Sequence, residues 1–518
     1  MVHYFGEASP SVLGVSPQRG GTGVERQLNA TSIRVFNTLT RRKEPFVPLE
    51  PGRVGIYVCG PTVYSYVHIG NARTFTAFDV IVRYLRYRGF HVTYVRNFTD
   101  IDDKIIDAAR ASGEDAIALA ARFVNEFRKD ARALRLLDPD FSPKVSDHFP
   151  EIIALIATLI ERGIAYESKG DVYFSVTADP QYAKLSRRNL SELKAGERVQ
   201  PGEHKRDPLD FALWKAAKAG EPAWESPWGP GRPGWHIECS AMAAKYLGST
   251  LDLHGGGMDL IFPHHENELA QSESAFDQPF VRYWMHCGFL DLAGAKMSKS
   301  LGNVVLLRQA LAQMDPEALR LFFLSTHYRH ALDFSEKALT DADGRMEYFY
   351  ETLRKVEEKI AGKDFPAAAV HGDPAGFVDQ FEAAMDDDFN VPVAIASLFA
   401  LFAAMNALVD KPPIKDQALI GRTLVALREG VKKMSAVLGL FERPPTEWLS
   451  ERRERAIRLK GIDRAKVEAL VEERSLARAR RDFQEADRLR LELRALGVEL
   501  TDSPLRTTWK VASEPPFP

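Results

Sequence analysis

From Val54 onward, short continuous apolar runs alternate with longer stretches whose apolar residues recur at helical spacing. Val54–Cys59 is one such run; it ends in Cys59-Gly60-Pro61 and predicts a strand stopped by a turn. Over 72–88, Phe75, Phe78, Val82 and Leu85 fall on one helical face, and Gly89 ends the helix. His91–Arg96 predicts a second strand. Strand, loop, helix and strand within about 45 residues form a βαβ unit, the start of a doubly wound parallel sheet. The expected class is therefore α/β and Rossmann-like. Two further helices are expected over 114–136 and 146–162.

The pattern changes at 163–233, where a hairpin-like stretch (170–176) precedes a Pro/Gly/Trp-rich run from Glu221 to Pro233. This reads as an insertion into the first domain. The sheet pattern resumes near Leu251 and lasts to about Leu324, after which helical spacing dominates until the last 20 residues. Pro412-Pro413 and Pro444-Pro445 punctuate that helical region. The expected division is a loose extension over 1–30, a catalytic domain split into 31–162 and 234–330 around the insertion, a helical bundle over 331–445 and a small C-terminal domain over 446–518. One stretch, Val391–Val409, is nearly uncharged for 19 residues, close to the minimum for a membrane span. Its six alanines, Ser397 and Asn406, with Asn390 and Pro392 at its start, favour a buried helix of a soluble bundle.

The chain has 518 residues, too many for one core. With 45% hydrophobic and 27% charged residues, extensive disorder is excluded. Net charge is −3, so no global basic field exists for non-specific nucleic-acid binding. The tail differs: 451–518 holds 16 Lys/Arg against 13 Asp/Glu, so any polyanion contact is expected to be local. Three cysteines cannot form a disulfide framework in a chain of this size, which suits a reducing compartment and turns attention to metal binding or catalysis.

Two motifs carry candidate chemistry. His68-Ile69-Gly70-Asn71 lies between the first strand and the helix, where free N–H groups and the helix dipole suit phosphate. Gly70 lets a planar group approach the backbone, and His68 and Asn71 can hydrogen-bond anionic oxygens. Lys296-Met297-Ser298-Lys299-Ser300, between Gly294 and Gly302, has two lysines three apart on a glycine-flanked loop, a cationic flap for a polyphosphate. Each motif alone is weak: a capped helix and a solvated basic loop are the bland alternatives.

In this order and context, the pair resembles the class I aminoacyl-tRNA synthetases. Further matches narrow the resemblance to the cysteinyl-tRNA synthetase family: Tyr57 to Tyr64, Asn97 to Lys104, Trp235 to Met242, His254-Gly255-Gly256-Gly257, and Pro263 to Glu268. The tail, Leu476 to Arg480 and Thr507-Thr508-Trp509, also looks like that family. The resemblance implies a ligase that joins L-cysteine to its tRNA through a cysteinyl-adenylate. His68, Gly70 and Asn71 would hold the ATP and adenylate end, Lys296 and Lys299 the pyrophosphate, and Gly60 and Trp235 the amino acid. Magnesium is expected with ATP. The more usual signature ends in His where this chain has Asn71, which cannot carry charge. The partners implied are tRNA(Cys), cysteine and ATP, with no membrane, and the expected enzyme is a cytoplasmic monomer.

A metal enters through the cysteines. Cys59 closes the first strand, His264 and Glu268 are four apart and can share a helical face, and Cys239 would complete a Cys₂-His-Glu set acceptable to zinc. His265 competes with His264, and each cysteine could equally be a buried hydrophobe. The resemblance selects Cys59, Cys239, His264 and Glu268, and leaves Cys287 as a core residue. Zinc suits this substrate because a thiolate is a soft ligand and an alcohol is not, so cysteine is told from serine by a bond made or not made. Competing readings are a ligase joining cysteine to a small amine, a zinc hydrolase using His264-His265-x-x-Glu268, and a non-catalytic tRNA-binding relative. About 190 residues after the catalytic region argue against the first, and the two flap lysines against the others. Within the tail, Arg478, Phe483 and Asp502 are the expected anticodon contacts.

Overall fold

A computed structural model of the chain describes residues 32–190, 204–218, 220–292, 295–296, 304–366, 368–502 and 507–511. The expected extension over 1–30 and Lys299 lie outside the described residues. A hairpin of β1 (Arg34–Asn37) and β2 (Arg42–Pro45) leads into β3 (Arg53–Val58). Val54, Ile56, Tyr57 and Val58 of β3 are all buried, as a strand covered on both faces requires. Helix α1 (Ile69–Tyr87) returns the chain to β4 (His91–Arg96), which runs parallel to β3 from the Arg53–His91 pair to the Val58–Arg96 pair. The helix starts at Ile69 and not Ala72, because His68 supplies the cap and Gly70 and Asn71 join the first turn.

After β4 come α2 (Asp103–Ser112), α3 (Ala116–Ala133) and α4 (Phe149–Glu161). Helix α2 was not expected. Its ten residues bury only Ile105, Ile106 and Ala109, too short a stripe to read from spacing, yet Asp102 caps its first turn. The insertion carries an antiparallel sheet in the order β5 (Ala165–Ser168), β6 (Asp171–Phe174), β7 (Phe211–Ala216), β8 (Gly231–Pro233). Then follow α5 (Trp235–Leu247), β9 (Leu251–Gly257), α6 (Glu266–Phe276) and β10 (Val281–Cys287). Strand β9 joins the parallel sheet on the other side of β3, and the order is β10-β9-β3-β4. Chain direction of travel reverses between β3 and β9, and open α/β sheets bind ligands outside the carboxyl ends at such a point. Gly255 is needed there: a Cβ would sit 2.1 Å from the Phe78 ring of α1.

Beyond the sheet, β11 (Leu290–Leu292), β12 (Ala295–Lys296), α7 (Leu307–Gln313), α8 (Pro316–Leu324) and β13 (Leu332–Phe334) follow, with β11 central in a three-stranded sheet. Lys296 is thus the end of a strand rather than part of a loop, and β13 interrupts the helical pattern expected after 330. Helices α9 (Glu336–Ile360), α10 (Pro374–Asp386), α11 (Val391–Asp410) and α12 (Gln417–Leu438) form the bundle. Helix α11 has a mean hydropathy of 2.0 over its most apolar window. It buries Leu398, Leu401, Phe402 and Met405 among its neighbours, and Asn390 precedes it without a side-chain capping bond. Arg320 of α8, fully buried, ties the bundle to the sheet domain by donating to Asp79 of α1 and to the Leu438 carbonyl of α12.

Helices α13 (Pro445–Lys460), α14 (Arg464–Ala479) and α15 (Phe483–Ala495) lead to a hairpin of β14 (Val498–Asp502) and β15 (Thr507–Val511). The apolar cores change over along α13, not at Pro444-Pro445. Trp448, fully buried, stacks on Tyr350 of α9 at 4.3 Å, whereas Ile457 packs with Val467, Leu489 and Trp509.

Candidate active site and metal centre

The carboxyl ends of β3, β9 and β10 open into a cleft of about 300 Å³. Cys59, Gly60, His68, Gly70, Asn71 and Trp235 all line it, so six residues expected to act together do meet. Gly60 donates its N–H to Asn97 Oδ1 at 2.8 Å, and a Cβ on it would fall 1.6 Å from the Asn97 carbonyl oxygen. Only glycine fits between the two strand ends. His68 has extended backbone, and its Nδ1 accepts the Asn71 N–H at 3.2 Å. The segment after the lysine motif pairs back onto this turn: Ile69 donates to the Val305 carbonyl and Leu307 to the Val67 carbonyl.

Behind the cleft, Cys59, Cys239, His264 and Glu268 bring their ligand atoms within 4.8 Å of one another, all buried. The two sulfurs are 3.8 Å apart, Cys59 Sγ is 3.4 Å from Glu268 Oε1, and His264 Nε2 is 3.0 Å from the same oxygen. The four come from β3, α5, the turn before α6 and α6 itself. A second set shares Cys59 and Glu268 but uses His254 and His265. His254, which sequence reasoning placed only in a glycine-rich motif, holds Glu268 Oε2 at 2.8 Å. His265 Nδ1 faces His286 Nε2 at 2.8 Å, and His286 in turn meets Thr38. No spacing in the sequence links these histidines; the packing of β9, β10 and α6 does.

The electrostatics fit a cation. Burial disfavours charge on Glu268, but His254 and His264 outweigh it and hold the carboxyl well below its usual range. Burial likewise opposes protonation of His264, yet Glu268 and Cys239 push it up to about 10. The hydrogen bond from Cys59 draws Cys239 down to about 6, while burial, with Cys239 and Glu268, drives Cys59 well upward. Without a metal, this carboxylate–sulfur cluster needs an imidazolium proton to be buried at all; a soft dication can replace that proton. Both sets reach the cleft through Cys59, which lines it. The set with both cysteines also meets the cleft wall at Trp235, which stacks on His264 with ring centres 4.2 Å apart. Cys287, expected as a core residue, is buried at the end of β10 and belongs to neither set, but it lines the cleft, because the carboxyl end of β10 opens there.

Lys104, Asp259 and Tyr64 also line the cleft and were given no role from the sequence, though Lys104 and Tyr64 each close a motif that was singled out. In the tail, Asp502 is paired with Arg478 at 2.8 Å and receives two bonds from Arg474 at 2.9 Å, while Phe483 is 64% exposed.

A parallel sheet with a His-x-Gly-Asn turn at its first helix, a cleft over its switch point and a helical C-terminal region defines a class I aminoacyl-tRNA synthetase. Residues 45–344 match the family model described as tRNA synthetases class I (C) catalytic domain, and 380–442 the DALR domain. The chain is 54% identical over 486 residues to a cysteine–tRNA ligase of Anaeromyxobacter sp. (strain K), covering 93% of this chain and all of that protein. It is 49% identical over 484 residues to that of Geobacter sulfurreducens, with the same coverage. It belongs to the cysteine–tRNA ligase family. Among solved structures, a Mycobacterium tuberculosis methionyl-tRNA synthetase bound to methionyl-adenylate superposes with a TM-score of 0.59 at 17% identity, over 75% of this chain and 92% of that one; this likeness concerns the fold.

Proposed function

We propose that this chain activates L-cysteine with ATP to cysteinyl-adenylate and pyrophosphate, then passes the cysteinyl group to the terminal ribose of tRNA(Cys). The observation that carries the reading is a buried Cys₂-His-Glu donor set that reaches the His68–Asn71 cleft through Cys59. Cys59, Cys239, His264 and Glu268 would hold a zinc ion, which would supply a soft Lewis acid suited to a cysteine thiolate and not to a serine hydroxyl.

The protein's own groups do the rest by position. His68, Gly70 and Asn71 line the cleft at the start of α1, and His68 and Asn71 are assigned to the α-phosphate, which gains charge during attack by the amino-acid carboxylate. Trp235 walls the amino-acid end against His264. Lys296 and Lys299 are assigned to the departing pyrophosphate, with Mg²⁺ accompanying ATP. The C-terminal helices and hairpin are assigned to tRNA, with Arg478, Phe483 and Asp502 as anticodon contacts. The pairing of Arg478 with Asp502 and the exposure of Phe483 are compatible with such a face. We further propose a monomer acting in the cytoplasm, with which three unbridged cysteines accord.

ATP–pyrophosphate exchange across the amino acids, followed by charging of purified tRNA(Cys), tests the reading. Exchange with cysteine well above serine, and charging of that tRNA, is the expected result. Exchange with another amino acid, or none, would refute it.

A further inference from the structure

Lys104 closes the Asn97–Lys104 motif and lines the cleft, and no task has been given to it above. It is the second residue of α2, exposed at the cleft wall, with Nζ 5.7 Å from the Trp235 ring centre and 5.9 Å from that of Tyr64. Among the described residues no carboxylate lies within ion-pair distance of it. Its acidic neighbours are already engaged. Asp102 Oδ1 accepts the Lys104 backbone N–H at 2.8 Å, and Asp103 is held by Lys215 at 2.6 Å and by Arg232. Those two bonds tie the start of α2 to β7 and β8 of the insertion, so the Lys104 backbone is anchored while Asp103 is engaged away from its ammonium. Trp235 in turn stacks on His264 of the donor set. An ammonium is thus held over the aromatic wall of the amino-acid end, on a flexible stem and, among the described residues, without a carboxylate partner.

We propose that Lys104 binds the α-carboxylate of the amino-acid substrate and orients it for attack on the α-phosphate. This rests on the ligase reading above. Side-chain chemistry at the donor cluster recognises the thiol; Lys104 recognises the other end of the same small molecule. The contact exists before activation and weakens once the carboxylate becomes a neutral acyl group, so it acts on substrate affinity and alignment rather than on the adenylate.

The test uses full-length, zinc-loaded protein and two probes: cysteine, and cysteamine, which keeps the thiol and amine but lacks the carboxylate. In ATP–pyrophosphate exchange without tRNA, Lys104→Gln should raise the KM for cysteine roughly 10- to 100-fold, the scale for losing one hydrogen bond to a charged group. The KM for ATP should stay within about twofold, and Lys104→Arg should recover part of the loss. Inhibition by cysteamine should be unchanged, which a general disturbance of the cleft would not allow. Equal weakening of cysteine and cysteamine would overturn the assignment, as would normal exchange with a defect confined to tRNA charging, which would place Lys104 on the nucleic acid. Wild-type protein without cysteine-dependent exchange would overturn the ligase reading and this assignment together.

Discussion

At the level of single residues, Glu268 is the pivot of the site, because one carboxylate meets Cys59, His254 and His264 at once. Removing a sulfur from this arrangement would break the four-donor set proposed to hold zinc. Cys239→Ser should therefore lose the roughly one zinc per chain expected of a four-ligand site, and cysteine activation with it. Cys287→Ser, outside both donor sets, should keep both; metal analysis and exchange activity read the difference. Metal-free protein that still strongly prefers cysteine to serine would sink the zinc assignment. Lys299→Ala is expected to behave differently. Charge builds on departing pyrophosphate only during the reaction, so single-turnover adenylate formation at saturating ATP should slow by roughly 10²–10³. Zinc content should be unaltered, and a loss seen wholly in ATP affinity would contradict a transition-state role.

At the level of elements, α13 is the most informative helix. Trp448 in its first turn stacks on Tyr350 of the bundle, and Arg455 further along, with Arg443 just before the helix, pairs with the buried Asp315. Ile457, near its end, belongs to the tail core. Trp448→Ala should cost about 3–5 kcal/mol, the usual range for emptying a buried tryptophan site, measured by denaturant unfolding. This helix also shows what the sequence could reveal. The βαβ unit was legible because its strands are continuous apolar runs and α1 keeps a clean stripe. The metal donors were legible only as residues, and their selection needed the family resemblance, since Cys59 and Cys239 are 180 positions apart. Helix α2 is too short for its stripe to be read, and the His68 cap is a local bond that helical spacing does not reveal; the role of His254 and the passage of α13 between two cores rest on packing that no local pattern encodes.

At the level of the whole molecule, the tail is joined to the rest through one helix, so the place of a truncation decides its outcome. Ending the chain after Lys460 keeps Trp448, Arg443 and Arg455 in place. It should leave adenylate formation largely intact while greatly weakening charging of tRNA. Ending it before Pro445 would uncover Tyr350 and unpair Asp315 from Arg455, and exchange should fall as well. Binding of tRNA by the full chain should weaken steeply with salt, as phosphate contacts release counterions. Unchanged charging by the chain ending at Lys460 would remove the tail from tRNA recognition.

The donor set has a further consequence in the order of synthesis. Cys59 leaves the ribosome early, but Cys239, His264 and Glu268 follow only after the inserted sheet has been made. No two of the elements bearing the sulfurs are neighbours in the chain, so the nascent protein cannot hold the ion until β9 has been laid beside β3. Capture of the proposed zinc would therefore be a late event, a timestamp on completion of the parallel sheet. An ion that binds only the finished arrangement would add its free energy of binding to that of the folded catalytic domain. Zinc supply during growth should then set how much newly made protein survives, before it sets how well any molecule discriminates its substrate.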